Sequence, residues 1–97
     1  MYKDLDPLLH SQLRLAIISL LVASEKAEFT HIKEETKASA GNISIQIKKL
    51  QEAGYIKVEK SFKNNYPNTM LSITSKGIEA FETYVNTLKK YINPKLY

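Results

Sequence analysis

Six side chains within one stretch carry the clearest chemistry in the chain: Asn42, Ser44, Ile45, Gln46, Lys48 and Lys49. They combine short hydrogen-bonding groups, one branched hydrocarbon and two cations, a mixture suited to base edges and phosphate oxygens. On a helix, at about 100° per residue, Ile43, Ile47 and Leu50 share one face with Ala53 at its flank. Gly41, Asn42, Ser44, Ile45, Lys48 and Lys49 share the other, which meets no carboxylate before Glu52. Asn42, Ser44 and Gln46 can bond bases or phosphates. Gln46 lies nearer the inner flank, where a bond to the preceding helix competes. Ile45 has two readings: contact with a thymine methyl, or packing against a neighbouring helix as one more scattered apolar residue. Lys48 and Lys49 are most simply phosphate anchors. Lys37 and Ser39, at the turn before the helix, can serve likewise, Ser39 through the helix N-terminus.

Other chemistries find no constellation. The chain has no cysteine, which removes disulfides, thiol catalysis and thiolate metal sites. His10 and His31 sit at different expected helix starts with no spaced carboxylates beside them, so neither a catalytic group nor a metal site is expected. Glu34 and Glu35 are adjacent and point apart; they suit a helix N-terminus. Gly41, Gly54 and Gly77 are isolated, so no glycine loop cradles a phosphate. No cofactor is expected, and the chain does not read as an enzyme.

The charge distribution agrees with the opening residues. The net charge is +4 over 97 residues. Residues 1–36 hold four basic against six acidic residues, whereas 37–77 hold seven lysines against Glu52 and Glu59. The positive density lies around the Asn42–Lys49 stretch, which suits a polyanion or, equally, a solvated face. The apolar fraction of 43% and the length fit one folded domain over residues 1–97. No signal peptide is legible, the longest apolar run (13–23) is too short for a membrane span, and a cytoplasmic location is expected.

The elements that must position these residues follow from caps and periodicity. Ser39 is the expected N-cap, and Gly54 the left-handed stop, of a helix over 39–54. Asp6-Pro7 should open a short helix, and Ser11 should cap a second over 12–23 that is apolar nearly all round. Residues 24–28 read as a loop, with Phe29 re-entering the core. Thr30 should cap a short helix ending near Lys37, so that 30–54 form a helix-turn-helix. Residues 55–62 and 69–73 read as two strands around a turn at 63–68, giving a basic, Asn-rich wing over 55–73. Thr74 or Ser75 should cap a last helix over 74–92, with Gly77 tolerated in its first turn. Ile78, Phe81, Val85, Leu88 and Ile92, widened by Tyr84 and Tyr91, form a stripe longer than a small core needs. With Leu15, Ile18 and Val22 it is the expected interface with a second copy of the chain. A terminal helix laid over its own domain is the competing reading.

In this order of elements the chain resembles the winged helix-turn-helix regulators of the MarR and ArsR type, especially the small single-domain branch called the winged-helix DNA-binding family. The resemblance rests on Leu5-Asp6-Pro7-Leu8-Leu9-His10-Ser11, Arg14-Leu15-Ala16-Ile17, Gly41-Asn42-Ile43-Ser44, Lys49-Leu50-Gln51-Glu52-Ala53-Gly54-Tyr55-Ile56, Val58-Glu59-Lys60-Ser61-Phe62 and Thr74-Ser75-Lys76-Gly77. It implies a mainly α fold with a small β-hairpin and a long C-terminal dimerisation helix. It also implies a homodimeric bacterial or archaeal transcriptional regulator that binds double-stranded DNA sequence-specifically. The helix after Ser39 would lie in the major groove and the wing beside the minor groove. Wings of this branch usually carry arginines; here the loop offers Lys63, Asn64, Asn65 and Asn68, so the wing either contributes less affinity or relies on Lys60 and Lys63. The cysteine metal motif of metal-sensing relatives is absent. No residue pattern identifies a small-molecule effector. Exposed Ile45 and the arginine-poor wing keep open a second class of function, a winged-helix protein-interaction module without a DNA partner.

Overall fold

The computed structural model describes residues 2–93 and 95. It consists of α1 (Gln12–Ser24), β1 (Lys26–Glu28), α2 (Phe29–Thr36), α3 (Ala40–Glu52), β2 (Ile56–Lys63), β3 (Tyr66–Ile73) and α4 (Ser75–Ile92). The three strands form one antiparallel sheet in the order β1-β3-β2. Leu9, Ile17, Ile18, Leu21, Ile32, Ile43, Leu50 and Leu71 are fully buried and form the centre of the core between helices and sheet.

The chain enters through one turn rather than the expected short helix. Asp6 Oδ1 accepts from the Leu8 amide at 2.9 Å, and the Asp6 carbonyl accepts from Leu9 and His10. Ser11 then turns extended (φ −150°), which stops that turn before it can propagate. Ser11 does stand at the N-cap position of α1, but its hydroxyl makes no capping bond. Arg14 and Tyr55 tie the entry segment down: Arg14 Nε donates to the Leu8 carbonyl at 2.6 Å, and the Tyr55 hydroxyl donates to Asp6 at 2.5 Å. Burial first, then the Asp6 hydrogen bond and charge, push the Tyr55 phenol up to about 12.

Residues 26–28 are a strand where a loop was expected. Lys26, Ala27 and Glu28 pair with Ser72, Leu71 and Met70, and the Ile73 amide donates to the Glu25 carbonyl. With Ala27 as its only apolar residue, β1 is too short to show a period of two; the free edge of β3 makes it a strand. It runs directly into α2, whose N-cap position is Glu28, without a side-chain capping bond. Thr30, expected as the cap, lies inside the first turn, because the paired strand ends one step earlier. Lys37 ends α2 in the left-handed region (φ 58°).

α3 has the expected caps. Ser39 Oγ accepts from the Asn42 amide at 3.1 Å. At the far end the Tyr55 amide donates to the Leu50 carbonyl and the Gly54 amide to the Gln51 carbonyl. This is the Schellman arrangement, and it places Gly54 at φ +80°. The hairpin turn is tighter than expected: Asn64 and Asn65 alone form it, both with positive φ, as a two-residue type I′ loop requires. Asn68 therefore lies within β3, opposite Ser61.

α4 starts where the Thr74 hydroxyl accepts from the Gly77 amide at 3.0 Å and donates to the Gly54 and Tyr55 carbonyls. Gly77 is not merely tolerated there. A Cβ at this position would lie 2.2 Å from the Tyr55 carbonyl oxygen, so the approach of α4 to the α3–β2 link needs a glycine. The face that α4 turns to the core is centred on Gly77, Tyr84 and Thr87. The apolar stripe is offset from it and stays partly open: Phe81, Val85 and Leu88 are half-buried, and Ile78, Tyr91 and Ile92 are exposed.

Candidate nucleic-acid interface

The core fixes which way α3 faces. Ile43, Ile47 and Leu50 are buried against the helices and sheet, so the opposite face points to solvent. Gly41, Asn42, Ser44, Lys48 and Lys49 lie exposed on it, and Ile45 is 57% exposed. A Cβ at Gly41 would meet nothing within 4 Å, so the start of this face is open. Ser39 and Lys37 are also exposed, at the α2–α3 link.

Gln46 is different. It is half-buried, and its Oε1 accepts from Arg14 of α1 at 2.5 Å. Its Nε2 donates to Asn42 Oδ1 at 2.9 Å. The inner-flank reading of Gln46 thus describes its place, with α1 rather than α2 as the partner. Because Asn42 accepts through Oδ1, its amide N–H groups are what it has to offer an incoming acceptor. Arg14 belongs to this arrangement, although charge and position mark it only as one cation in an apolar helix.

The hairpin register sorts the wing residues onto two faces. Ile56, Val58, Lys60 and Phe62 share one face with Ile73, Leu71, Thr69 and Pro67. Ile56 and Leu71 are buried, so this is the face turned toward the helices. Lys60 lies on it and lines a cleft of about 480 Å³ together with Ser44, Ile47, Lys48 and Gln51 of α3, Phe29, Val58 and Thr69. The fold therefore brings Ser44, Lys48 and Lys60 to one concave surface. Lys63 and Asn68 lie on the other face, and Lys63 Nζ is 3.0 Å from Glu28 Oε1. Such a surface pair holds a cation only weakly. Asn64 and Asn65 form the exposed tip. Two side chains not among the candidates are the most exposed aromatics of the wing, Phe62 at 78% and Tyr66 at 74%. Alternation puts Tyr66 on the outer face, but it puts Phe62 on the face of Ile56 and Val58, so period alone gives no sign that Phe62 is exposed.

Of the expected interface residues, Ile18 is fully buried and Tyr84 is 5% exposed within one chain. Both belong to the protomer's own core; Tyr84 also holds His10 Nδ1 at 3.0 Å through its hydroxyl. A helix apolar nearly all round must bury one side in its own core, and α1 buries Ile17, Ile18 and Leu21. Leu15 and Val22 remain half-buried. Tyr91 donates to the Lys3 carbonyl at 2.6 Å and packs beside Tyr2, so the entry segment covers part of the stripe's end. Among the described residues, no group of three or more His, Asp or Glu side chains could hold a metal ion. No described helix is long and apolar enough to cross a membrane.

This geometry has relatives. A protein of Methanocaldococcus jannaschii is 36% identical over 76 residues, 78% of this chain and 83% of that protein. The structure of a transcriptional regulator homologue from Pyrococcus horikoshii OT3 superposes with a TM-score of 0.84 at 29% identity, covering 90% of this chain and 86% of that one. MarR superposes with a TM-score of 0.77 at 16% identity, over 89% of this chain and 62% of MarR, a likeness of fold. Residues 13–92 match the family described as the winged helix DNA-binding domain. With its helix-turn-helix, hairpin wing and long last helix, the chain belongs to that winged-helix DNA-binding family.

Proposed function

We propose that this protein is a transcriptional regulator that binds double-stranded DNA sequence-specifically as a homodimer. One observation carries the reading: the solvent face of α3 and the inner face of the wing converge on a cleft that places Ser44, Lys48 and Lys60 together. An acidic side chain is absent from the cleft lining, and its scale suits a phosphate backbone beside a helix in the major groove. In this role Asn42, Ser44 and Ile45 read base edges. Lys37, Lys48, Lys49 and Lys60 hold phosphates, with Ser39, Asn64 and Asn65 as minor contributors. Lys63 joins them only after leaving Glu28. Gln46 acts through Asn42 rather than on DNA.

The half-open stripe of α4 supports the dimer. Ile78, Phe81, Val85 and Leu88, with Leu15 and Val22 of α1, offer apolar surface that one chain leaves uncovered. A symmetric pair would present two α3 helices about 34 Å apart, one turn of B-DNA. The whole chain acts as one domain inside the cell in this reading, on chromosomal DNA. The test is selection of bound sites from a random duplex library. Binding to the selected and a scrambled duplex is then compared at several salt concentrations, with light scattering on the free protein. A selected half-site repeated in inverted order and a mass of two chains are expected. No affinity for any duplex at low salt, with capture of a protein instead, would favour the interaction-module reading that exposed Ile45 supports.

A further inference from the structure

The wing carries an exposed ring on the side that faces α3. Along the inner face of β2, exposure rises outward from buried Ile56 through half-buried Val58 to exposed Lys60 and Phe62. Phe62 stands directly opposite Pro67. The two-residue turn makes Lys63 and Tyr66 the hydrogen-bonded closing pair, so by alternation Phe62 and Pro67 form a non-hydrogen-bonded pair, in which side chains approach most closely. The nitrogen of Pro67 then faces away from β2. β1 pairs with β3 only as far as Met70, so on that side Pro67 removes no ladder bond. The result is an exposed aromatic ring directly across the ladder from a rigid pyrrolidine, near the end of the hairpin.

We propose that Phe62, set opposite Pro67, is an apolar wedge that enters the DNA minor groove next to the major-groove segment held by α3 and partly unstacks a base step there. This rests on the DNA-binding reading above. The reach fits: Phe62 lies four residues beyond Val58, about 14 Å along the strand, comparable with the roughly 12 Å width of the major groove. The surroundings fit as well. Lys60 lies two residues inward on the same face, and Asn64 and Asn65 lie just beyond the ring. A cation on one side and amides on the other suit phosphates and sugars flanking a less polar interior, which describes a groove floor. An apolar side chain pressed between base pairs bends the duplex toward the major groove. Pyrimidine–purine steps deform most easily, so the wing adds a preference for such a step outside the bases that α3 touches. The wedge supplies contact without charge, in a wing that has lysines but no arginine.

The experiment uses the duplex selected by the purified protein, with 2-aminopurine placed at the step flanking each α3 half-site. Wild-type binding should raise the 2-aminopurine fluorescence as stacking is lost. Phe62→Ala should abolish that rise and weaken binding about tenfold. It should leave the slope of log affinity against log salt unchanged, because no charge is removed. Lys60→Ala should do the converse, lowering the slope by about one while keeping the fluorescence rise. Unchanged affinity and fluorescence in Phe62→Ala would overturn the wedge while leaving DNA binding intact, and would assign the ring to a protein surface. Wild-type protein that binds no duplex at low salt would instead overturn the DNA-binding reading itself.

Discussion

Arg14 of α1 and Gln46 of α3 are joined by a guanidinium-to-amide hydrogen bond of 2.5 Å, and the same Arg14 holds the Leu8 carbonyl through Nε. Gln46 passes the constraint to Asn42. The entry segment, α1 and the solvent face of α3 are thereby linked through one side chain. Arg14→Ala should cost about 1.5–3 kcal/mol, the range for hydrogen bonds to a charged group. For a domain of this size that lowers the melting temperature by at least about 5 °C. It should also reduce discrimination between selected and scrambled duplexes, because Asn42 loses its restraint. Arg14→Lys should not rescue either property, since an ammonium lacks the planar fork that serves two carbonyls. Calorimetry and binding anisotropy on the two variants check this.

Gly77 and Gly41 should respond oppositely to the same change. Gly77→Ala drives a methyl into the Tyr55 carbonyl, a backbone atom that cannot swing aside. The expected loss is about 3 kcal/mol or more, at the upper end of overpacking costs. Gly41→Ala meets open space on the first turn of α3 and should stabilise by about 0.5–1 kcal/mol. Urea unfolding of both variants measures the contrast. Equal effects would refute the close packing of α4 on the α3–β2 link.

Charge and base contacts should separate in salt titrations. Lys48→Ala should weaken binding to selected and scrambled duplexes alike and lower the salt slope by about one. Asn42→Ala or Ile45→Ala should cost about 1–3 kcal/mol on the selected duplex alone. Equal losses on both duplexes for Asn42→Ala would remove its base-reading role.

Tyr55 should make the fold sensitive to alkali. Its phenol is pushed up to about 12 in the folded chain from an ordinary value near 10, chiefly by burial and then by Asp6. The folded state thus favours the protonated form. The stability this contributes is fully present below about pH 10 and is lost as the pH rises toward 12. Tyr55→Phe keeps the ring but has no proton to lose. The stability difference between wild type and Tyr55→Phe should therefore change across pH 10–12 and stay constant from pH 7 to 9. A difference that is flat through pH 12 would contradict the burial of the Tyr55 phenol beside Asp6.

Much of this molecule is legible in the sequence because its signals are local. Ser39, Thr74 and Gly54 sit where a helix must begin or end, and their backbone and hydroxyl chemistry needs no distant partner. The spacing of Ile43, Ile47 and Leu50 alone orients α3, and therefore decides that Asn42, Ser44, Ile45, Lys48 and Lys49 face outward. The order of elements follows from these caps and periods, and with it the winged-helix fold.

What only the tertiary structure decided depends on contacts between segments far apart in the chain. β1 exists because β3 offers an edge. Gly77 is required because the Tyr55 carbonyl, 22 residues earlier, occupies the space of its missing side chain. Gln46 is drawn inward by Arg14. Ile18 is consumed by the core, since period alone cannot say which side of an all-round apolar helix is covered first, and Tyr84 is consumed because the core face of α4 is offset from its apolar stripe. The return strand of the wing was sorted by register: a turn of two residues instead of six draws Pro67 and Asn68 into β3, setting Pro67 opposite Phe62 and turning Asn68 to the outer face. A shift of one residue in a strand reverses every side chain, so the face on which each residue of the return strand lies was set by where the hairpin closed.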